Sequence, residues 1–132
     1  MHHFTLRVYY EDTDVGGVVY HANYLKFIER ARSEWVRACG IDQKRLLAEQ
    51  GLGFVVRAIS AEFVAPARYD DELRVETVQT GIMGVRIELR QRVLCGDRLL
   101  FTADVTLAAI SREGRPLRLS PEIRDLLAGP AA

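Results

Sequence analysis

Asp12, Asp14, Gly16, Gly17 and His21 fall within ten positions of one another, in the stretch Tyr10-Glu11-Asp12-Thr13-Asp14-Val15-Gly16-Gly17-Val18-Val19-Tyr20-His21-Ala22-Asn23-Tyr24. A long apolar-faced helix is predicted directly behind them. A carboxylate held opposite a helix N-terminus can attack a carbonyl or deprotonate the water that does so. The positive helix end then stabilises the oxyanion that develops. Adjacent glycines permit positive φ or the close approach of a ligand, and each also fits a plain turn. Asp14 has two readings at this level, as the reacting carboxylate or as the cap of a turn or helix.

The elements that must position these residues follow from periodicity. Phe4, Leu6, Val8 and Tyr10 alternate with His3, Thr5, Arg7 and Tyr9, which predicts a half-buried first strand running into the glycine turn. From about His21 to Cys39 the period becomes helical. Tyr24, Phe27, Ile28, Ala31, Trp35 and Ala38 form one apolar stripe, with Glu29/Arg32, Arg30/Glu34 and Glu34/Arg37 as charge pairs on the remaining surface. A short helix is expected from Asp42, its cap, to Gln50, ending at Gly51. The rest reads as strand. Val55, Ile59, Ala61 and Phe63 share one face; Leu73, Val75 and Thr77 lie in the next strand; Gly81 and Gly84 bracket a turn. Val85, Ile87, Leu89, Gln91, Val93 and Cys95 then alternate with Arg86, Glu88, Arg90 and Arg92, a sheet with one wet and one covered face. After a Gly96-Asp97 hairpin turn, Leu99, Phe101, Ala103, Val105, Leu107 and Ala109 continue the covered face. Ser120 and Pro121 open a terminal helix. Strand, long helix and a run of antiparallel strands make an α+β chain, economically folded by wrapping the sheet around the helix.

A chain of 132 residues is one domain, 1–132, with enough length to bury a core unaided. Eighteen basic and eighteen acidic residues cancel, which argues against nucleic acid and anionic membrane as partners. Cys39 and Cys95 form no disulfide framework, no signal segment opens the chain, and no run reaches membrane-spanning length. A cytoplasmic protein without an integral membrane segment is expected.

Tyr10-x-Asp12-Thr13-Asp14-x-x-Gly17-Val18-Val19-Tyr20-His21-x-x-Tyr24-x-x-Phe27-x-Glu29-x-Ala31-Arg32 resembles the signature of the hotdog-fold acyl-CoA thioesterases of the 4-hydroxybenzoyl-CoA thioesterase type. Within that type the chain is similar to the YbgC, or Tol–Pal-cluster-associated, branch. Phe63-Val64-Ala65-Pro66-Ala67-Arg68-Tyr69-Asp70-Asp71-Glu72-Leu73 fits the same branch. The resemblance implies a hotdog fold and an acyl-CoA substrate, with acyl carrier protein as another carrier. It also implies sheets joined edge to edge in a homodimer that pairs further into a homotetramer, and active sites at the subunit interface. No cofactor is called for. Asp14 aligns with the essential carboxylate, acting as general base or nucleophile. The backbone N–H of His21 aligns with the donor to the thioester carbonyl.

With that resemblance, Asp12 reads as a structural residue of the turn. Gly17, Tyr20, Tyr24 and Phe27 read as substrate-binding positions, Tyr24 and Phe27 being either core or acyl-pocket lining. The His21 imidazole either lines the pocket and orients water or serves packing. A metal role is disfavoured because no second ligand stands at a suitable spacing. Glu29, eight residues along the helix, is a rival carboxylate. Cys39, near the negative end of its helix, is a poor nucleophile, and Cys95 reads as core. Arg86, Arg90 and Arg92 on one strand face, and Arg112, Arg115 and Arg118 beyond the last strand, read first as solvated faces and second as contacts for CoA phosphates. Two other functions share these features: a hotdog acyl-thioester dehydratase or hydratase, and a non-catalytic acyl-thioester or acyl-carrier-protein binding protein.

Overall fold

In the computed structural model, residues 1–129 are described; the last three positions of the expected 1–132 domain lie outside them. The elements run β1 (His2–Arg7), a 3-10 turn (Tyr10–Asp12), α1 (Asn23–Ala38), α2 (Gln43–Gln50), β2 (Gly53–Phe63), β3 (Glu72–Met83), β4 (Arg86–Cys95), β5 (Arg98–Ile110) and α3 (Pro121–Ala128). The five strands form one antiparallel sheet in the order β1-β3-β4-β5-β2, and α1 lies across β1, β3 and β4. The α+β arrangement of one long helix on an antiparallel sheet is the expected one.

The core is the apolar stripe of α1 set on the covered sheet face. Tyr24, Phe27, Ile28, Ala31, Trp35 and Val36 meet Leu73, Val75, Ile87, Leu89, Val93, Phe101 and Val105. The expected stripe ended at Ala38. That residue is exposed, and the stripe continues instead through Val36 and Cys39. α2 is capped as its sequence dictates, Asp42 accepting from the Arg45 N–H at 3.2 Å and Gly51 closing it at φ +64°. Ser120 caps α3 through the Ile123 N–H at 3.2 Å.

Four expectations are corrected. The first strand stops at Arg7 rather than Tyr10, because the Asp12 carboxylate takes the Tyr9 N–H at 2.8 Å and turns the chain; Tyr10 is left exposed. Val55 does not share a face with Ile59, Ala61 and Phe63. Val56 opposes Leu107 and Ala58 opposes Thr106, so Arg57 is an extra residue, and this bulge inverts the alternation. Gly81 lies inside β3 just after a second irregularity, and only Gly84 belongs to the turn. Arg32 is not on the solvent side of α1. It is buried against the sheet and bonds to Gln91, while Glu29 accepts from Ser33 Oγ at 2.9 Å. Of the three expected charge pairs on α1, Arg37 with Glu34 is the one that forms.

β2 is an edge strand eleven residues long and, among the described residues, paired only with β5. Val55, Val56, Ile59 and Phe63 on it are exposed, as is Val64 just beyond. An apolar, unpaired edge of this length is a template for pairing with another strand.

Candidate active site

The hairpin after β1 is held from inside by Asp12. Its carboxylate caps Tyr9, and its carbonyl accepts both the Tyr20 N–H and Asn23 Nδ2 at 2.9 Å. Asn23 is the first residue of α1, so this one carbonyl ties the hairpin to the helix start. Thr13 Oγ1 donates to the Tyr10 carbonyl at 2.8 Å, and Thr13 bridges Val19 across the hairpin.

Asp14 stands on the next position, its N–H bonded to the Val18 carbonyl at 2.9 Å. Its side chain is exposed. Oδ1 accepts the Gly16 N–H at 2.9 Å, and Oδ2 has no hydrogen-bond partner among the described residues. One oxygen is thus fixed and the other is available to a water or a substrate carbon. Gly17 adopts φ +79°, a conformation that strains any residue with a Cβ. A Cβ on Gly16 would stand 3.3 Å from Asp14 Oδ1. Gly16→Ala is expected to displace the carboxylate and lower kcat several-fold with the melting temperature nearly unchanged; equal turnover would show that the carboxylate tolerates the shift.

α1 begins two residues later than its periodicity suggested. Residues 20–23 form a tight turn in which Asn23 N–H bonds to the Tyr20 carbonyl at 2.9 Å and Tyr24 N–H to that of His21 at 3.3 Å. The N–H groups of His21 and Ala22 have no acceptor among the described residues. They are free donors at the positive end of a sixteen-residue helix.

The facing wall is the loop between β2 and β3. Val19 N–H donates to the Ala67 carbonyl at 2.8 Å, Ala67 N–H donates to Tyr24 Oη at 3.0 Å, and Val18 bridges Arg68. Between loop and helix start lies a cavity of about 290 Å³ lined by Val19, His21, Tyr24, Phe63, Val64, Ala65 and Pro66. Its base is aromatic. Tyr24 stacks on Phe101 with centroids 5.0 Å apart, and Phe63 meets both rings edge-on at 5.7 and 5.1 Å. The His21 imidazole is exposed, 6.0 Å from the Phe63 ring and 4.6 Å from that of Tyr20. Burial pushes the Tyr24 hydroxyl pKa up, partly offset by its bond to Ala67, so the phenol stays neutral and acts as an acceptor.

Of the residues singled out in the sequence, His21 and Tyr24 line this cavity. Asp14 and Gly17 sit on the hairpin whose Val19 contributes to the wall, and Tyr20 is exposed beside His21. Phe27 is core, packed edge-on against Tyr24 at 6.0 Å and absent from the cavity wall. Glu29 lines a different, smaller cavity with Arg32, Phe54 and Val56. The cavity residues 63–66 were not singled out as a site. Their signal was the Phe63–Leu73 motif and the Pro66 that ends β2.

Three of the six candidate arginines have protein partners. Arg90 pairs with Asp104 at 3.0 Å and Arg92 with Glu76 at 2.8 Å, while Arg112 donates to the Leu47 and Ala48 carbonyls at 2.7 and 2.9 Å, closing the end of α2. Cys39 is buried, and desolvation pushes its thiol up to about 11 from an ordinary value of 9.0. Because the folded value is the higher one, the stabilisation from keeping this thiol neutral is complete below pH 9.0 and is lost as pH rises towards about 11. Iodoacetamide at pH 8 is expected to leave Cys39 of the folded protein unmodified, as read by mass spectrometry; rapid labelling would contradict its burial.

Comparison with known proteins adds a family to this geometry. The model of the thioesterase-like superfamily matches residues 8–127. The chain is 42% identical over 122 residues to the acyl-CoA thioesterase YbgC of Haemophilus influenzae, covering 92% of this chain and 90% of that one. It is 44% identical over 117 residues to the acyl-CoA thioester hydrolase YbgC of Escherichia coli O6:H1, covering 88% and 84% respectively. A crystal structure of a probable thioesterase from Bartonella henselae superposes with a TM-score of 0.87 at 43% identity, over 90% of this chain and 98% of that one.

Proposed function

Because the chain belongs to the thioesterase-like superfamily, we propose that it is an acyl-CoA thioesterase, hydrolysing a thioester to a carboxylic acid and free CoA, with Asp14 as the reacting carboxylate. The observation that carries the assignment of Asp14 is its pair of unlike oxygens: Oδ1 held by the Gly16 N–H, Oδ2 unpartnered, on a hairpin tied to a helix start whose first N–H groups are free.

The chemistry divides unequally between the two sides of the site. The leaving thiol has a reference pKa of about 8.5, so it departs as thiolate without a strong acid beside it. Charge on the carbonyl oxygen is the harder problem. The His21 N–H at the α1 N-terminus stabilises it, a contribution of roughly 3–4 kcal/mol for one such donor. Asp14 Oδ2 either removes a proton from water as it attacks, or itself attacks to give a mixed anhydride. The acyl group enters the aromatic cavity, where Tyr24 presents its ring because its hydroxyl already accepts from Ala67. The His21 imidazole and Tyr20 border the mouth, and Gly17 lets the hairpin pass close to the thioester.

The cavity opens beside β2, the unpaired apolar edge. We assign that edge to a second copy of the chain, so that the acyl pocket is completed by the partner. No helix among the described residues is long and apolar enough to cross a membrane. With two free cysteines, a reducing cytoplasm and a soluble acyl-CoA or acyl-carrier-protein substrate fit best.

A panel of acyl-CoAs, from short aliphatic to long-chain and aromatic, is the test, with released thiol as the readout. Turnover of at least one is expected. Absence of thiol release across the panel, with addition of water to enoyl thioesters instead, would replace hydrolysis by hydratase chemistry.

A further inference from the structure

We infer that Arg32, Gln91 and Thr77 are positioning residues: together they fix how far α1 can slide along the sheet, and through the helix they set where its N-terminus stands relative to Asp14. The inference rests on the assignment of that centre made above.

Gln91 is fully buried in the middle of β4, on the face covered by α1. Its Nε2 donates to the Ile28 carbonyl at 2.9 Å and to Thr77 Oγ1 at 3.0 Å, and its Oε1 accepts from Arg32 Nη1 at 3.0 Å. Ile28 and Arg32 are one turn apart on the same face of α1. A single side chain therefore grips the helix at a backbone carbonyl and at a guanidinium, and Thr77 anchors that side chain to β3. All three residues are buried.

The close-packed side chains on Val75, Leu89 and Val93 resist an axial shift through contact alone, which has no preferred direction. The three hydrogen bonds add a directional constraint, because they weaken steeply with distance and angle. The grip is not an obvious source of stability. Arg32 forms no salt bridge among the described residues, and burial disfavours its charged form, an effect that nearby Glu29 partly offsets. Buried ionic groups of this kind are often replaced by apolar side chains with no loss of stability, or with a gain. Their retention here is explained by placement. Ile28 lies five residues into α1 from Asn23, about 7.5 Å along the helix, and the tight turn that carries His21 leads directly into that start. A displacement at Ile28 reaches the helix start and bears on the bonds from Asn23 and Tyr20 to the Asp12 carbonyl, which set the spacing between Asp14 and the free N–H groups. Misplacement of a reacting group by about 1 Å can cost on the order of a hundredfold in rate.

The experiment replaces the whole network with apolar side chains of similar volume, as Arg32→Met/Thr77→Val/Gln91→Met, so that no partner is left buried and unpaired. The melting temperature is expected to be equal or higher, with kcat about tenfold lower and KM within about twofold. Thr77→Val alone, which removes one anchor and no charge, is the gentler arm, with kcat about threefold lower at unchanged KM and melting temperature. Unchanged kcat in either folded variant overturns the inference, as does a loss that appears wholly in KM. Asp14→Asn measured in parallel separates the two levels. Loss of turnover there, with the network variants fully active, removes this inference alone. Full turnover in Asp14→Asn removes the underlying assignment as well.

Discussion

Asp14→Asn is expected to lower kcat by about a hundredfold or more, the usual scale for loss of a general base or nucleophile. The fold should be untouched. Asparagine is isosteric and keeps an acceptor for the Gly16 N–H, so the hairpin bonds of Asp14, Gly17 and Val18 all survive. The amide nitrogen would replace the unpartnered Oδ2, which is the atom assigned to the chemistry. Circular dichroism and melting temperature should match wild type while thiol release collapses. Unchanged hydrolysis would sink the assignment of Asp14 and turn attention to the His21 imidazole. A single turnover of wild type in isotopically labelled water goes further: label in the Asp14 carboxylate would exclude a pure general-base route.

Charging the β2 edge should have an effect of similar size by a different route. Val55 and Ile59 lie on opposite faces of β2 because of the bulge at Arg57, and they are 41% and 37% exposed in the protomer. Val55→Lys/Ile59→Lys thus places a charge on each face of the edge; Ile59 stands beside the core residue Val105, so the melting temperature is read alongside. The double variant is expected to sediment as a monomer. Its kcat/KM should fall on the order of a hundredfold if a second copy completes the acyl pocket, since proximity and enclosure contribute at that scale. A monomer with full activity would show that each protomer carries a whole site. A persistent dimer would show that the copies meet elsewhere.

The sequence made some of this legible and hid the rest for identifiable reasons. The alternation in β4, the stripe from Tyr24 to Trp35 and the caps at Asp42 and Ser120 were readable because each rests on local geometry alone. The faces of β2 were not, because one extra residue at Arg57 inverts a period of two and no composition marks it. Arg32 was misread because helical spacing from Glu29 satisfies a charge-pair pattern, whereas its partner Gln91 lies fifty-nine positions away. Asp14, His21 and Tyr24 could be singled out from one contiguous motif. Phe63 to Pro66, the other half of the cavity, reach it through tertiary contacts between loop and hairpin, which no local pattern records.

That long-range closure has a kinetic consequence. The hairpin at residues 12–24 is held by Ala67 and Arg68, and β1 by pairing from His2↔Thr77 to Arg7↔Glu72. During synthesis, α1 emerges with only β1 made before it, and waits 34 residues, from Ala38 to Glu72, for β3, the next strand that it lies across. Contacts of such sequence separation are slow to form, because the chain entropy of closing the loop is lost before the packing is gained. The helix start can form as soon as its own residues are free, but the cavity can close only after β5, which carries Phe101 and pairs with β2, has been made. In the nascent chain, secondary structure at this site therefore precedes binding competence.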